Sequence, residues 1–231
     1  MPPEPKQKTS APGEGPEALL ALRPVAPAAM DRLTRYVALL RTWQKAKNLV
    51  GPGTLDHVWT RHVADSAAVL DAAPEARRWV DLGSGAGFPG IVVAILLADV
   101  PGAHVHLVES NGRKAAFLKA AIRETGAPAT VSAARIEDVV TRPDVVAGGP
   151  VEAVSARALA PLDKLLALAA PLFEAGAVGV FHKGRDLRRE VADARAHWSF
   201  DLVEHPSGSD PDGRIALVRS LAPRRPGVPE P

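Results

Sequence analysis

Asp81 ends the apolar run Trp79-Val80 and is followed by Leu82-Gly83-Ser84-Gly85-Ala86-Gly87-Phe88-Pro89-Gly90, then by the unbroken apolar run Ile91 to Ala98. A carboxylate held beside this much bare backbone is an arrangement for gripping a ligand. Glycine at 83, 85 and 87 permits tight or positive-φ backbone and lets a flat molecule lie against the chain. Pro89 suits the first turn of a helix, where a missing N–H is no loss. A second acid, Glu109, closes the next apolar run 19 residues after Gly90. Its two oxygens can accept from a vicinal diol such as that of a ribose.

Two ligand classes fit these residues. Gly85-Ala86-Gly87-Phe88-Pro89-Gly90 matches the dinucleotide fingerprint G-x-G-x-x-G, with Glu109 where a ribose-binding acid belongs. Asp81 to Gly87 also matches D/E-x-G-x-G-x-G, a loop that binds S-adenosylmethionine. Charge separates the two. A dinucleotide brings a pyrophosphate to the helix N-terminus, and like charges about 4 Å apart repel by about 4 kcal/mol at an effective dielectric of 20. S-adenosylmethionine carries a sulfonium and an ammonium instead, so Asp81 at the strand rim favours the methyl donor. Ser84 and Gly85 belong to the same cofactor loop, and Ser110 or Asn111 follows Glu109 as the cap of the next helix.

The methyl acceptor is narrowed by what the chain lacks. Methylation at carbon 5 of a pyrimidine requires a thiolate, and there is no cysteine, which also removes disulfides and thiolate metal sites. Exocyclic amines usually demand an Asn/Asp-Pro-Pro-aromatic turn after the fourth strand, where this chain reads Ser155-Ala156-Arg157-Ala158-Leu159-Ala160-Pro161. A ring nitrogen with a free lone pair, such as N7 of guanine, needs no general base and remains, as do oxygen acceptors and small molecules. In-line orientation alone is worth roughly 7–11 kcal/mol.

The elements that must position these residues follow from pattern and composition. At 231 residues and 46% hydrophobic content the chain supports one full core with a small annex. Residues 1–27 are rich in Pro, Gly and Ala and predict a flexible tail. Residues 28–73 predict two annex helices: one with Met30, Leu33, Val37 and Leu40 at helical spacing, and one capped by Thr54 beyond the Gly51-Pro52-Gly53 break. Residues 74–221 alternate strand and helix. Strands are expected at 78–82, 104–109, 129–132, 151–155, 177–181, 199–204 and 214–220, and helices at 89–98, 111–125, 162–170 and 187–197, with a short helical turn near 135–140. This predicts an α/β fold with a mostly parallel seven-stranded sheet whose last two strands, joined without a helix, pair antiparallel. Residues 222–231 predict a disordered tail. The longest apolar run is too short to span a bilayer and no signal pattern opens the chain, so no membrane association and a cytoplasmic location are expected.

Beyond these separate signals, the chain resembles the ribosomal small-subunit methyltransferase G family, also called glucose-inhibited division protein B, from about residue 30 to 220. DLGSGAGFPGIVVAI carries the resemblance, since Phe88-Pro89-Gly90 after the glycine loop is far rarer than the loop itself. WQKAKNLV at 43–50, RHVADS at 61–66, VESNGRKAAFL at 108–118, ARIEDV at 134–139, SARALAPL at 155–162 and HKG at 182–184 support it. The resemblance implies a Rossmann-like class I methyltransferase fold and transfer from S-adenosyl-L-methionine to N7 of a guanine in the decoding-region loop of 16S ribosomal RNA. It further implies that Gly83 and Phe88 line the cofactor, that Ile136 and Glu137 border the adenine, and that Arg157 reaches the site.

The net charge of +2 makes no nucleic-acid magnet of the whole molecule, so RNA contact must come from local patches. Arg113, Lys114, Lys119 and Arg123 on the helix after Glu109 form the most one-sided cluster, with Arg113 and Lys114 nearest the site mouth. Lys45, Lys47 and Asn48 are a second candidate and Lys183 a third. His62 and Asp65, three apart on one helix face, read as packing or capping residues, and Trp43 and Trp59 as core. The expected partner is 16S rRNA or the 30S subunit, met by a monomer that uses no metal.

Overall fold

The computed structural model describes residues 14–47, 49–51, 53–142, 149–208, 210 and 212–224. Strands β1 (Arg78–Leu82), β2 (His104–Val108), β3 (Ala129–Ser132), β4 (Ala153–Arg157), β5 (Val178–Lys183), β6 (Trp198–Pro206) and β7 (Arg214–Pro223) form one sheet in the order β3-β2-β1-β4-β5-β7-β6. The first five run parallel, and β7 is antiparallel to both β5 and β6. The order reverses between β1 and β4, which opens a crevice outside their carboxyl ends. Register then gathers the site: Asp81 lies opposite Ser155, and Leu82 opposite Val108.

Helices α1 (Pro16–Leu20), α2 (Pro27–Lys47), α3 (Asp65–Ala67), α4 (Val69–Ala72), α5 (Gly90–Leu96), α6 (Gly112–Thr125), α7 (Leu162–Glu174) and α8 (Leu187–Arg195) cover the sheet. Strand alternation sends Trp79 into a core with α2, α5 and α6, while Val80 and Leu82 enter the opposite core with α7. The amphipathic face of α2 buries Leu33, Tyr36, Val37 and Leu40. This clamps the annex onto α5 and α6 over the β1–β3 half of the sheet rather than leaving it a separate body.

The annex departs from expectation in two places. Residues 16–20 of the expected tail form helix α1, with Leu19 fully buried, because its apolar side chain packs into the annex core despite the surrounding prolines. The expected second helix is instead a 3₁₀ turn (Leu55–His57), a π-helical segment (Trp59–Ala64) and the short α3 and α4. π-Helical turns recur at functional sites. At the other end, β7 continues to Pro223, so Ala222 and Pro223 belong to the sheet, while residues 1–13 and 225–231 of the expected tails lie outside the described residues. Among the described residues no helix is long and apolar enough to cross a membrane.

Candidate cofactor and acceptor site

The glycine loop begins where β1 ends. Gly83 has φ +64, and a Cβ there would fall 2.7 Å from Leu159 Cδ1, so glycine serves both conformation and clearance. At the start of α5, a Cβ on Gly90 would meet Asp81 Oδ2 at 2.7 Å. The loop is tied down from several sides. Ser84 N donates to Val108 O at 3.0 Å, Ser84 Oγ donates to Asp81 O at 2.9 Å, and Tyr36 Oη donates to Ala86 O at 2.5 Å.

Asp81 is not at the rim. It is fully buried under the first turn of α5, because β1 continues through Leu82 and alternation turns residue 81 inward. Ser155 Oγ donates to Oδ1 at 2.7 Å, and Oδ2 has no hydrogen-bond partner. Burial raises its carboxyl to about 6, against opposing hydrogen-bonding contributions from Ser155, Ser84 and the Gly90 backbone, with Glu109 adding to the rise. A buried carboxylate with one oxygen incompletely satisfied beneath a positive-φ loop suits a cationic ligand and would repel a phosphate.

Glu109 stands just past β2 and is nearly buried. Gly85 N donates to its Oε2 at 2.9 Å and Asn111 N to its Oε1 at 2.7 Å. Each oxygen keeps a further acceptor position for a ribose hydroxyl. Asn111, not Ser110, caps α6: its Oδ1 accepts from Arg113 N at 3.0 Å and Lys114 N at 3.2 Å, while Ser110 is exposed. Ile136 is half-buried in the turn after β3, and Glu137 is exposed beside Arg135.

Around Phe88 the fold assembles residues whose roles only the three-dimensional structure reveals. The His62 ring stacks on Phe88 at 4.9 Å, Tyr36 meets it edge-on at 5.5 Å, and the Arg157 guanidinium carbon lies 6.0 Å from its centroid. Arg157, at the end of β4, donates from Nη2 to His62 Nδ1 at 2.6 Å and to Arg61 O at 3.1 Å, with Nη1 3.5 Å from Asp65 Oδ2. Arginine can only donate, so His62 Nδ1 is the acceptor and the ring proton sits on Nε2. Burial, with Arg157 close by, lowers His62 to about 4, keeping the ring neutral at neutral pH. His182 donates from Nε2 to Asp65 O at 2.9 Å, and Ser207 Oγ donates to Asp65 Oδ1. His62 and Asp65 had their spacing and their place in the RHVADS stretch at 61–66 as signals, but neither gave their role. His182 had only its place in the HKG stretch at 182–184, and Tyr36 and Ser207 had none, since each reaches the site from a distant part of the chain.

The basic candidates divide. Arg113 is exposed and Lys114 half-buried at the start of α6. Lys183 is turned inward: its Nζ donates to Ala160 O at 2.8 Å and Glu190 Oε2 at 2.6 Å, and its side chain is 6% exposed. Glu190 Oε2 also accepts from Leu162 N at 2.8 Å, so the pair fastens α8 to the start of α7. Asn48 and the side chains of Lys45 and Lys47 lie outside the described residues.

Comparison with known proteins places this geometry in a family. The family model described as rRNA small subunit methyltransferase G matches residues 29–210. The chain belongs to the rRNA small subunit methyltransferase G family. A member from Parvibaculum lavamentivorans is 51% identical over 206 residues, covering 89% of both chains. Another from Bradyrhizobium diazoefficiens is 52% identical over 207 residues, covering 90% of this chain and 78% of its own. Both carry the name ribosomal RNA small subunit methyltransferase G. Solved structures agree on the fold. The O-methyltransferase from Bacillus cereus in complex with SAH superposes with a TM-score of 0.56 at 15% identity, covering 86% of this chain and 93% of its own. The O-methyltransferase TomG from Streptomyces achromogenes in complex with SAM gives 0.54 at 16%, covering 82% and 90%. The chain therefore has the Rossmann-like class I methyltransferase fold.

Proposed function

We propose that this chain transfers the methyl group of S-adenosyl-L-methionine to N7 of a guanine in the decoding-region loop of 16S ribosomal RNA, acting as a monomer in the cytoplasm. Membership of the methyltransferase G family supports the substrate, and the buried Asp81 carboxylate beneath the glycine loop, held by Ser155 at Oδ1 with Oδ2 left without a partner, is the observation that carries the cofactor. When bound, S-adenosylmethionine supplies an electrophilic methyl group on a sulfonium. Asp81 provides negative charge below the loop, with Gly83, Ser84 and Gly85 forming the bed above it. Glu109, oriented by Gly85 N and Asn111 N, accepts from the ribose hydroxyls. Ile136 and Glu137 border the adenine, and Phe88, backed by His62 and Tyr36, forms a wall between cofactor and acceptor, with Arg157 beside it.

N7 of guanine carries a free lone pair at neutral pH, so the transfer needs orientation and no proton removal. The neutral, hydrogen-bonded His62 is consistent with a site that positions rather than abstracts. Arg113 and Lys114 meet RNA phosphates at the site mouth, whereas the buried ion pair with Glu190 makes Lys183 a support for the cleft wall. Incubation with labelled S-adenosylmethionine and 30S subunits from cells lacking the protein tests the reading. Label is expected on N7 of one guanine in 16S rRNA. Label on another atom, or transfer only to a small molecule, would refute it.

A further inference from the structure

A cleft of about 680 Å³ opens beyond the carboxyl ends of β4 and β5, lined by Asp65, Arg157, Leu159, His182, Lys183 and Ser207 among others. It adjoins the cofactor loop, because Leu159 on its wall occupies the space that a Gly83 Cβ would need. Its charges balance: Arg61, Arg157 and Lys183 face Asp65, Glu190 and Asp210. Such a lining gives no net attraction to a phosphate, and two of its carboxylates belong to ion pairs with its own cations. A neutral heterocycle with both donors and acceptors on its edge suits it better, and the volume falls within the range of about 300–1,000 Å³ typical of small-ligand pockets.

Among the residues that line the cleft, both donor and acceptor capacity is left unsatisfied. Arg157 Nη1 and His182 Nδ1 are buried without hydrogen-bond partners. Asp65 Oδ1 accepts from Ser207, but Oδ2 stands 3.5 Å from both Arg157 Nη1 and His182 Nε2, too far for a good hydrogen bond. A guanine presents the complement on adjacent atoms of its Watson–Crick edge: O6 accepts, while N1–H and the 2-amino group donate. Adenine presents a donor where guanine has O6, which would face a guanidinium that has nothing but donors.

We propose that this cleft holds the flipped-out target guanine, with Asp65 accepting from N1–H and the 2-amino group and Arg157 Nη1 donating to O6. The assignment rests on the RNA guanine reading above and adds to it the residues that select the base. Flipped bases are commonly read on this edge. Asp65 comes from the annex and Arg157 from β4, so base selection would require the annex to be seated on the sheet.

The test compares 30S subunits reconstituted with guanosine or inosine at the modified position, inosine lacking only the 2-amino group. The wild-type protein is expected to methylate guanosine about tenfold or more faster at subsaturating subunit, the range expected for losing part of a bidentate contact. In Asp65→Asn the ratio should collapse toward one, with S-adenosylmethionine affinity retained. A wild-type ratio near one, or a ratio preserved in Asp65→Asn while both rates fall, would overturn the assignment by leaving Asp65 a purely structural role. Absence of wild-type transfer to guanosine subunits would instead refute the rRNA reading, and the assignment with it. If Asp65→Asn fails to fold, Ser207→Ala, which removes only the hydroxyl holding Oδ1, is expected to lower the ratio by about threefold. An unchanged ratio in that variant would overturn the proposal equally.

Discussion

Asp81 combines two demands that oppose each other at the level of one residue. Its carboxyl titrates near 4 in an unfolded chain and about 6 in the fold, chiefly through burial. The folded state therefore holds the proton more tightly. The contribution to stability is most favourable below about pH 4 and declines as pH rises toward 6, and above that the ionised carboxylate costs about 3 kcal/mol. Asp81→Asn should accordingly melt about 6–12 °C higher than the wild type at pH 7, while binding S-adenosylmethionine at least about tenfold more weakly. A cationic ligand prefers the ionised carboxyl. Cofactor affinity of the wild type should rise as pH increases from 5 to 7, and that rise should vanish in Asp81→Asn. Calorimetric titration across pH together with thermal melts checks both. Equal affinity in the two proteins, or an unchanged melting temperature, would contradict the account. Spacing left two cofactor classes open and charge led to the reading of Asp81 beside a cationic cofactor, but that reading placed the acid on the rim, where the structure buries it. The strand bounds 78–82 were legible; the depth of Asp81 comes from α5 packing over it and from Ser155 lying opposite it, which is a matter of sheet register and helix packing.

Among the elements, the annex shows where composition misleads. Seven prolines in the first 27 residues argue for a tail, yet Leu19 is fully buried and Glu14 reaches the π-helical segment. Glu14 Oε1 accepts from Trp59 N at 3.1 Å and Thr60 N at 3.4 Å, and its Oε2 accepts from Thr60 Oγ1 at 2.9 Å. This carboxylate caps the segment that carries His62 and precedes Asp65. Leu19→Ala should destabilise the protein by about 2–5 kcal/mol, and Glu14→Ala by about 1 kcal/mol, the usual worth of a cap. If the cap also seats the segment, Glu14→Ala should slow methylation of 30S subunits while cofactor affinity stays unchanged. Denaturant titration and steady-state rates distinguish this from a free tail, for which neither variant would change stability. The helices that pack on the sheet were readable because their apolar spacing repeats over two or more turns, as in α2 and α6. The pieces between 55 and 72 are each too short for such a repeat, and their geometry is set by what they touch: Glu14, Phe88 and Arg157.

At the scale of the whole molecule, alternating strand and helix signals were sufficient for a parallel sheet, and the missing helix before the last strand for the antiparallel pair. Which strands neighbour one another is not written in that rhythm. It is the order β3-β2-β1-β4-β5-β7-β6 that brings β1 and β4 together, and with them Asp81 to Ser155 and the glycine loop to the cleft. The same folding separates the lysines that looked equivalent in the sequence. With a net charge of only +2, attraction to RNA depends on where cations stand, and Lys183 is neutralised by Glu190 inside the wall whereas Arg113 and Lys114 lie at the start of α6. Each phosphate contact contributes roughly 0.7–0.9 to the slope of log affinity against log salt. Replacing both Arg113 and Lys114 with Ala should therefore weaken binding to 30S subunits and flatten that slope by about 1.5. Lys183→Ala should leave the slope unaltered and instead lower the melting temperature by several degrees, because Glu190 then stays in the wall without its counter-charge. Subunit binding measured between low and moderate salt decides the matter: a slope that falls with Lys183→Ala and not with the α6 pair would mean that the RNA path crosses the cleft wall rather than the helix mouth.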